Sequence, residues 1–151
     1  MDQLKRRINA WRVRSERIVF TNGCFDLLHP GHVEYLEQAR LLGDRLVIGL
    51  NSDSSVQALK GPGRPFMPEA GRARLLAALE VVDGVVIFET ETPEQLIGEL
   101  KPDVLVKGGD YQEHQIAGAS LVRSTGGTVE IIPLLDGHSS SALVRKIREQ
   151  A

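Results

Sequence analysis

The sequence lacks most of the features that would assign it to a specialised class of protein. It contains one cysteine, Cys24, so no disulfide can form within the chain, and we expect a reducing, cytoplasmic compartment. No apolar run approaches the roughly 20 residues that cross a bilayer, and the amino terminus lacks the apolar core and cleavage site of a secretory signal. The net charge of −2 provides no general attraction to nucleic acid or anionic membranes. We therefore expect one cytoplasmic domain over residues 1–151, with no nucleic-acid or membrane partner.

Several familiar phosphate and nucleophile motifs are also missing from the sequence. There is no G-x-x-x-x-G-K-[ST] P-loop, and Gly61-Pro62-Gly63 lacks the third glycine of the dinucleotide fingerprint. No G-x-S-x-G nucleophile elbow occurs. A phosphate site in this chain must therefore be built from other residues.

Short apolar runs typical of buried strands alternate with segments of helical periodicity. The predicted strands are residues 17–20, 45–50, 85–88, 103–107 and 129–133. The predicted helices are residues 2–16, 33–42, 53–59, 68–79, 93–100, 117–124 and 139–149. Alternating strands and helices predict parallel βα units. We expect an α/β fold of three layers, Rossmann-like, with a five-stranded parallel sheet, in which an N-terminal helix (2–16) precedes a catalytic core (17–149).

Polar segments follow four of the predicted strands. They are residues 23–32, 51–53, 107–111 and 136–141. Parallel sheets bind ligands at the carboxyl ends of their strands, where the strand order reverses. These segments are therefore expected to share one site.

Two histidines mark the most informative of these segments. His29 and His32 lie where the first strand gives way to a helix, on either side of Pro30-Gly31. Free amides at a helix N-terminus together with imidazoles suit anionic oxygens, above all those of phosphate. Two other interpretations stay open: a purely structural pair, and a metal site, although Cys24, His114 and His138 give no recognised zinc spacing.

The stretch Gly23-Cys24-Phe25-Asp26-Leu27-Leu28-His29-Pro30-Gly31-His32 resembles the G-x-F-D-x-x-H-x-G-H motif of the nucleotidylyltransferase superfamily, which includes cytidylyltransferases and phosphopantetheine adenylyltransferase. Residues 21–26, 50–53, 64–69 and 101–111 are further similar to the adenylyltransferase domain that makes ADP-heptose. The resemblance extends over residues 17–148. In many relatives this domain follows a sugar kinase; here one helix precedes it, which resembles the stand-alone form.

The resemblance implies a reaction. The phosphate of D-glycero-D-manno-heptose 1-phosphate would attack the α-phosphorus of ATP in line and expel pyrophosphate, without a protein nucleophile, so that catalysis rests on positioning and charge stabilisation. ATP would enter as its Mg²⁺ complex. Superfamily members commonly dimerise, so we expect a homo-oligomer, either a dimer or a tetramer. A cytidylyltransferase acting on glycerol 3-phosphate or a similar alcohol phosphate, and a nucleotide-binding module without turnover, remain alternatives.

The resemblance also assigns roles to individual residues. The expected catalytic residues are His32, His29 and Lys60. The expected nucleotide contacts are Thr21, Asn22, Gly23, Cys24, Phe25, Gly31, Arg72, Lys107, Gly108, Asp110, Ser139, Ser140 and Ser141. The expected contacts to the sugar phosphate are Asp26, Asn51, Asp53 and Arg64.

Several of these residues have a simpler interpretation that the sequence leaves open. Lys60 could be a solvated lysine in a loop, Arg72 a surface charge and Asp110 a turn residue. The serines could cap a helix, and Asp26 could anchor its loop or help to hold Mg²⁺. Cys24 is expected to be a small buried residue rather than a nucleophile, because no base is positioned to activate it. His138 replaces the usual Ile or Tyr of the superfamily and has no assigned role.

Overall fold

The computed structural model describes residues 1–109, 111–134 and 137–150, so the predicted nucleotide contact Asp110 lies outside the described residues. The strands are β1 (Ile18–Gly23), β2 (Arg45–Asn51), β3 (Gly84–Phe88), β4 (Val104–Gly108) and β5 (Thr128–Ile132). The α-helices are α1 (Asp2–Val13), α2 (Pro30–Arg40), α3 (Asp53–Lys60), α4 (Glu69–Ala77), α5 (Glu94–Leu100), α6 (Ala119–Ser124) and α7 (Ser140–Gln150). A short 3₁₀ helix covers Glu113–Gln115; the sequence did not predict it, since three residues carry no periodic signal.

The strands form one parallel sheet in the order β3-β2-β1-β4-β5. The prediction of an α/β fold with a five-stranded parallel sheet is thus confirmed. The chain builds outward from β1 through β2 to β3, then returns to place β4 on the other side of β1. This reversal opens a crevice beyond the carboxyl ends of β1 and β4, which is where such sheets bind ligands.

Helices cover both faces of the sheet. Successive strand residues point to opposite faces, so Ile18 and Phe20 belong to one core cluster and Val19 to the other. The first cluster is closed by apolar residues of α1, α5 and α6, and the second by those of α2 and α4. The predicted three-layer arrangement follows from this packing.

The N-terminal helix packs on the core of its own chain. Leu4, Ile8 and Trp11 form a buried stripe at helical spacing. The Arg12 guanidinium donates to the carbonyl oxygens of Leu100 and Lys101, which ties α1 to the end of α5. The helix is shorter than the predicted 2–16, because the chain leaves it at Arg14 and Ser15 takes φ 58°.

Two further boundaries bear on the site. Helix α2 begins at Pro30 rather than at Val33, since the fixed φ of proline suits the first helical position. Lys60, expected in a loop, is the last residue of α3. Within the described ranges, no helix is both long enough and apolar enough to cross a membrane.

Candidate active site

A pocket of about 410 Å³ lies beyond the carboxyl ends of β1 and β4. It brings together most of the residues that the sequence predicted: Asn22, Gly23, Cys24, Phe25, Asp26, His29, Gly31, His32, Lys60, Lys107, Gly108, Ser139, Ser140 and Ser141. The sequence assigned no individual role to four other lining residues: Tyr35, Tyr111, Leu134 and His138. Tyr111 and His138 lie in two of the polar segments expected at the site, 107–111 and 136–141, and His138 adjoins the serine cluster, Ser139 to Ser141. Tyr35 and Leu134 lie outside those segments, and no motif marks them.

The loop after β1 is held in a strained conformation. Phe25 (φ 45°) and Leu27 (φ 59°) both adopt left-handed backbone angles, which cost a non-glycine residue roughly 1–2 kcal/mol each. Phe25 is nevertheless fixed, because its buried ring packs directly on Gly23, where a Cβ would lie 3.0 Å from the ring. Such strain persists where the surroundings over-determine the backbone. The backbone of this loop therefore lines the pocket in a fixed conformation.

Asp26 supplies much of that fixation. Its carboxylate has no exposed surface and accepts hydrogen bonds from the Arg64 Nε (2.8 Å), the Phe66 amide (2.9 Å) and the Met67 amide (3.1 Å). The aspartate thus fastens the β1 loop to the segment before α4. Of the interpretations that the sequence left open, this geometry supports the loop anchor, because the carboxylate is satisfied by groups of the chain itself.

The two motif histidines form a stacked pair at the start of α2. His29 is the N-cap residue, with extended backbone angles, and its amide donates to the His32 Nδ1 at 3.3 Å. The ring centroids lie 3.8 Å apart, and Phe25 packs against the His32 ring at 5.4 Å. Because Nδ1 accepts a hydrogen bond, the proton of the neutral His32 ring lies on Nε2. His32 is thereby oriented as an N–H donor.

The surroundings of both imidazoles disfavour their charged form. Burial, with His29 and Lys60 nearby, lowers the pKa of His32 from 6.5 to about 4. Burial and the neighbouring His138 lower the pKa of His29. Neutral rings can still donate one N–H each, and an anion bound beside them would favour their protonation. The pair therefore suits a ligand that brings its own negative charge.

A third imidazole extends the stack. The ring of His138 lies 6.2 Å from that of His29, at an interplanar angle of 21°. A Cβ at Gly31 would lie 2.7 Å from the Cβ of His138. The glycine of the H-x-G-H motif therefore allows the segment before α7 to close onto the first turn of α2.

The serine cluster lies at the start of α7. Ser139 Oγ accepts from the Ala142 amide at 3.0 Å, the geometry of a helix cap. Ser140 Oγ donates to the Asp26 carbonyl oxygen at 2.7 Å, which fastens α7 to the β1 loop. Helices α2 and α7 thus both start at the pocket, where their free amides and partial positive charge favour anions.

The pocket lining also includes the end of β4 and an aromatic side chain, that of Tyr111. The Lys107 Nζ, on β4, lies 5.7 Å from the centre of the Tyr111 ring, and burial lowers the pKa of Lys107. A Cβ at Gly108 would lie 2.8 Å from a methyl carbon of Leu134. An aromatic ring, a lysine and an apolar side chain around exposed backbone suit a nucleobase.

Within the described ranges, five predicted site residues do not line this pocket: Thr21, Asn51, Asp53, Arg64 and Arg72. Thr21 is fully buried, and its hydroxyl bonds to that of Tyr35 at 2.7 Å. The Asn51 side chain donates to Ser55 at 2.9 Å within the β2–α3 turn. Polar residues at strand ends can hydrogen-bond to one another as readily as to a ligand. Residue type alone therefore does not distinguish a contact within the protein from a contact to a ligand.

Arg72 occupies a different position from the one expected. Its side chain has no exposed surface, and its guanidinium donates to the carbonyl oxygens of Met67, Cys24 and Asn51 and to the Asp53 carboxylate. These bonds span 2.6–2.9 Å. Arg72 is thus a buried residue whose hydrogen bonds join three loops. It is neither a surface charge nor a nucleotide contact in this conformation.

Cys24 lines the pocket without being activated. Burial raises the pKa of its thiol above the ordinary value, which disfavours the nucleophilic thiolate. Among the described residues, no group of three or more His, Cys, Asp or Glu could hold a metal ion. What the pocket offers is N–H donors and helix N-termini.

Comparison with known proteins agrees with this geometry. A family model described as cytidylyltransferase-like matches residues 20–146. The bifunctional proteins HldE of Methylobacillus flagellatus and Magnetococcus marinus are each 56% identical to this chain, over 147 and 146 residues respectively. Each match covers 97% of this chain and 30% of the relative. The chain thus spans about 30% of the length of these curated relatives.

Two solved structures have a similar fold. The crystal structure of a lipopolysaccharide core biosynthesis protein from Thermoplasma volcanium matches with a TM-score of 0.66 and 30% identity, covering 80% of this chain and 97% of that one. A protein of unknown function from Archaeoglobus fulgidus shares the fold, with a TM-score of 0.60 at 23% identity, over 81% of this chain and 92% of that one. The chain belongs to the cytidylyltransferase-like family. This family membership confirms the prediction of a nucleotidyltransferase.

Proposed function

We propose that this chain transfers AMP from ATP to D-glycero-D-manno-heptose 1-phosphate, giving ADP-heptose and pyrophosphate for lipopolysaccharide or another surface glycan. The motif resemblance to ADP-heptose-forming domains supports the choice of substrates. So do the relatives called bifunctional protein HldE and the structural match described as a lipopolysaccharide core biosynthesis protein. The observation that carries the chemistry is the stacked His29–His32 pair at the start of α2, which adjoins His138 just before α7.

The pocket suggests how ATP would lie. The adenine and ribose would occupy the end formed by Lys107, Gly108 and Tyr111, and the triphosphate would run toward the starts of α2 and α7. Helix N-termini favour phosphate through their free amides and partial positive charge. The α-phosphoryl group would then lie beside His32. Mg²⁺ would arrive as part of the ATP complex, held mainly by phosphate oxygens and water.

The transfer step would need charge stabilisation and positioning. As the sugar phosphate attacks the α-phosphorus, negative charge develops on the oxygens around it, and the His32 Nε2–H would donate to them. His29 would contact the β-phosphoryl group, which departs with pyrophosphate. Lys60, exposed at the end of α3 and lining the pocket, would reach across the triphosphate. A rigid loop and a fixed tautomer reduce the reorganisation that the step requires.

Two alternatives predict different products. A cytidylyltransferase would release pyrophosphate from CTP with glycerol 3-phosphate, and a nucleotide-binding module would release none. Pyrophosphate is measured with ATP or CTP in combination with heptose 1-phosphate or glycerol 3-phosphate. Our proposal expects release with ATP and heptose 1-phosphate. Release with CTP and glycerol 3-phosphate alone, or no release from any pair, would overturn it. The cytoplasmic location and the homo-oligomer stay predictions of the sequence.

A further inference from the structure

Strands β1 and β4 separate at the floor of the active-site pocket. Their register pairs residues at two positions, Val19 with Val104 and Phe20 with Leu105. Beyond these positions β1 stays paired with β2 as far as Gly23, and β4 stays paired with β5 as far as Gly108, but no register joins β1 to β4 within the described residues. Residues 21–23 and 106–108 therefore form the two arms of a gap, which we call the fork.

Tyr35 bridges the fork. It lies on α2, is 9% exposed and lines the pocket. Its hydroxyl lies 2.7 Å from that of Thr21, a fully buried residue and the first of β1 beyond the last pair with β4. Its ring packs against the other arm, since a Cβ at Gly108 would lie 3.0 Å from the ring carbon Cε2. One side chain therefore adjoins both arms of the fork.

The hydroxyl of Tyr35 is suited to hold the ring in place and not to transfer a proton. Burial raises the pKa of Tyr35 to about 12, so the phenol is neutral at physiological pH. The hydrogen bond to Thr21 joins two buried groups, and a buried hydroxyl that loses its partner is left desolvated without compensation. The bond therefore favours one position of the ring against β4.

Tyr35 also connects the two ends of the pocket. It lies three residues after His32 on α2, so the two side chains are neighbours on one face of the helix. Its ring adjoins Gly108, at the end of the pocket where the nucleoside would lie in the proposed function. The spacing between the histidine end and the nucleoside end thus depends on this ring.

We propose that Tyr35 is a positioning residue, whose ring holds β4 at a fixed distance from α2 so that a nucleotide bound at Gly108 places its α-phosphoryl group beside His32. This rests on the proposed function, which lays ATP along the pocket between these two ends. A group that sets the spacing of two subsites strengthens the binding of a ligand that occupies both, and not of a ligand that occupies one. ATP would span both ends, whereas adenosine and tripolyphosphate would each occupy one.

The test compares variants of Tyr35 and its partner. Tyr35→Leu removes the ring, Tyr35→Phe removes only the hydroxyl, and Thr21→Val removes the partner hydroxyl with little change of shape. Tyr111→Leu is the matched comparison, because it removes an aromatic ring that lines the pocket outside the fork. Dissociation constants of ATP, adenosine and tripolyphosphate are measured on the full chain with Mg²⁺ present, below the Tm of each variant. The two conservative variants keep the test decisive if Tyr35→Leu does not fold.

Tyr35→Leu is expected to weaken ATP about tenfold or more, with adenosine and tripolyphosphate changed less than about twofold. Tyr35→Phe and Thr21→Val should each weaken ATP by the same factor, about two- to fivefold, and their combination by no more than either alone, because both remove one hydrogen bond. Tyr111→Leu should weaken ATP and adenosine equally.

Three results would overturn the proposal. They are equal weakening of ATP and adenosine by Tyr35→Leu, effects of Tyr35→Phe and Thr21→Val that add, and an ATP affinity that none of the Tyr35 and Thr21 variants changes. Because these measurements concern binding alone, a protein that binds ATP and releases no pyrophosphate with heptose 1-phosphate would fail the proposed function and could still pass this test.

Discussion

Replacing His32 by alanine is expected to lower kcat by about 10²–10³, the usual effect of removing one preorganised donor from a developing oxyanion. The reason lies in the orientation of the ring. The His29 amide occupies Nδ1 of His32, so the donor on Nε2 needs no reorganisation when charge develops on the α-phosphoryl group. Ground-state affinity for ATP should change much less, because the amides of α2 and α7 remain.

The same substitution has a structural cost that must be separated from the catalytic one. The His29 amide loses its acceptor, Nδ1 of His32, to which it forms a long hydrogen bond of 3.3 Å. The stacking of His32 on His29 and its packing against Phe25 are lost as well. A net loss of about 1 kcal/mol is expected for the hydrogen bond. For a chain of this length, 1 kcal/mol corresponds to a fall in Tm of about 2–4 °C, so thermal unfolding of the variant measures the structural cost separately from the loss of kcat.

The assay is pyrophosphate release under saturating ATP and heptose 1-phosphate, with ATP affinity measured separately. His114→Ala is the matched control, since His114 lies on the 3₁₀ helix and not in the pocket. A fall in kcat of less than tenfold for His32→Ala would refute the role given to the ring. A loss of ATP affinity with kcat unchanged would show that His32 binds the ground state and the transition state equally.

Three further predictions concern the residues that hold the site in shape. Arg72→Met should lower the free energy of unfolding by about 3–5 kcal/mol, because it leaves buried carbonyls and Asp53 without their donor; an unchanged midpoint in urea would contradict this. Asp26→Asn should lower the free energy of unfolding by about 3 kcal/mol, since either orientation of the amide places its NH₂ group against buried donors. A variant as stable as the parent would exclude the anchor role. His32 has a folded-state pKa of about 4, below its ordinary 6.5, so the folded protein binds fewer protons between those values. Its contribution to stability should be complete above pH 6.5 and disappear as the pH falls toward 4; His32→Gln should show a smaller fall in Tm over that window, and an identical fall would refute the assignment.

Local patterns in the sequence were enough to predict the sheet, its strands and the turn after the first strand that lines the pocket. Alternating apolar runs determine which residues can be buried, and a run that is buried on both faces specifies a parallel strand. His29, Gly31 and His32 lie within four residues of one another, so their proximity needs no knowledge of the fold. The parallel sheet then places the polar strand ends at one edge.

What the sequence by itself could not decide was which polar side chains face the ligand and which face each other. Arg72 and Lys60 are both cations after the second strand, yet Arg72 is buried among carbonyls and Lys60 lines the pocket. His138 is about one hundred residues from His29, and their stacking depends on the return of α7 to the start of α2, which Gly31 permits. The sequence thus determined the elements and the chemistry of the first turn, because these depend on neighbours in the chain. The tertiary structure decided the partners of each polar group, because these depend on how distant segments close upon one another.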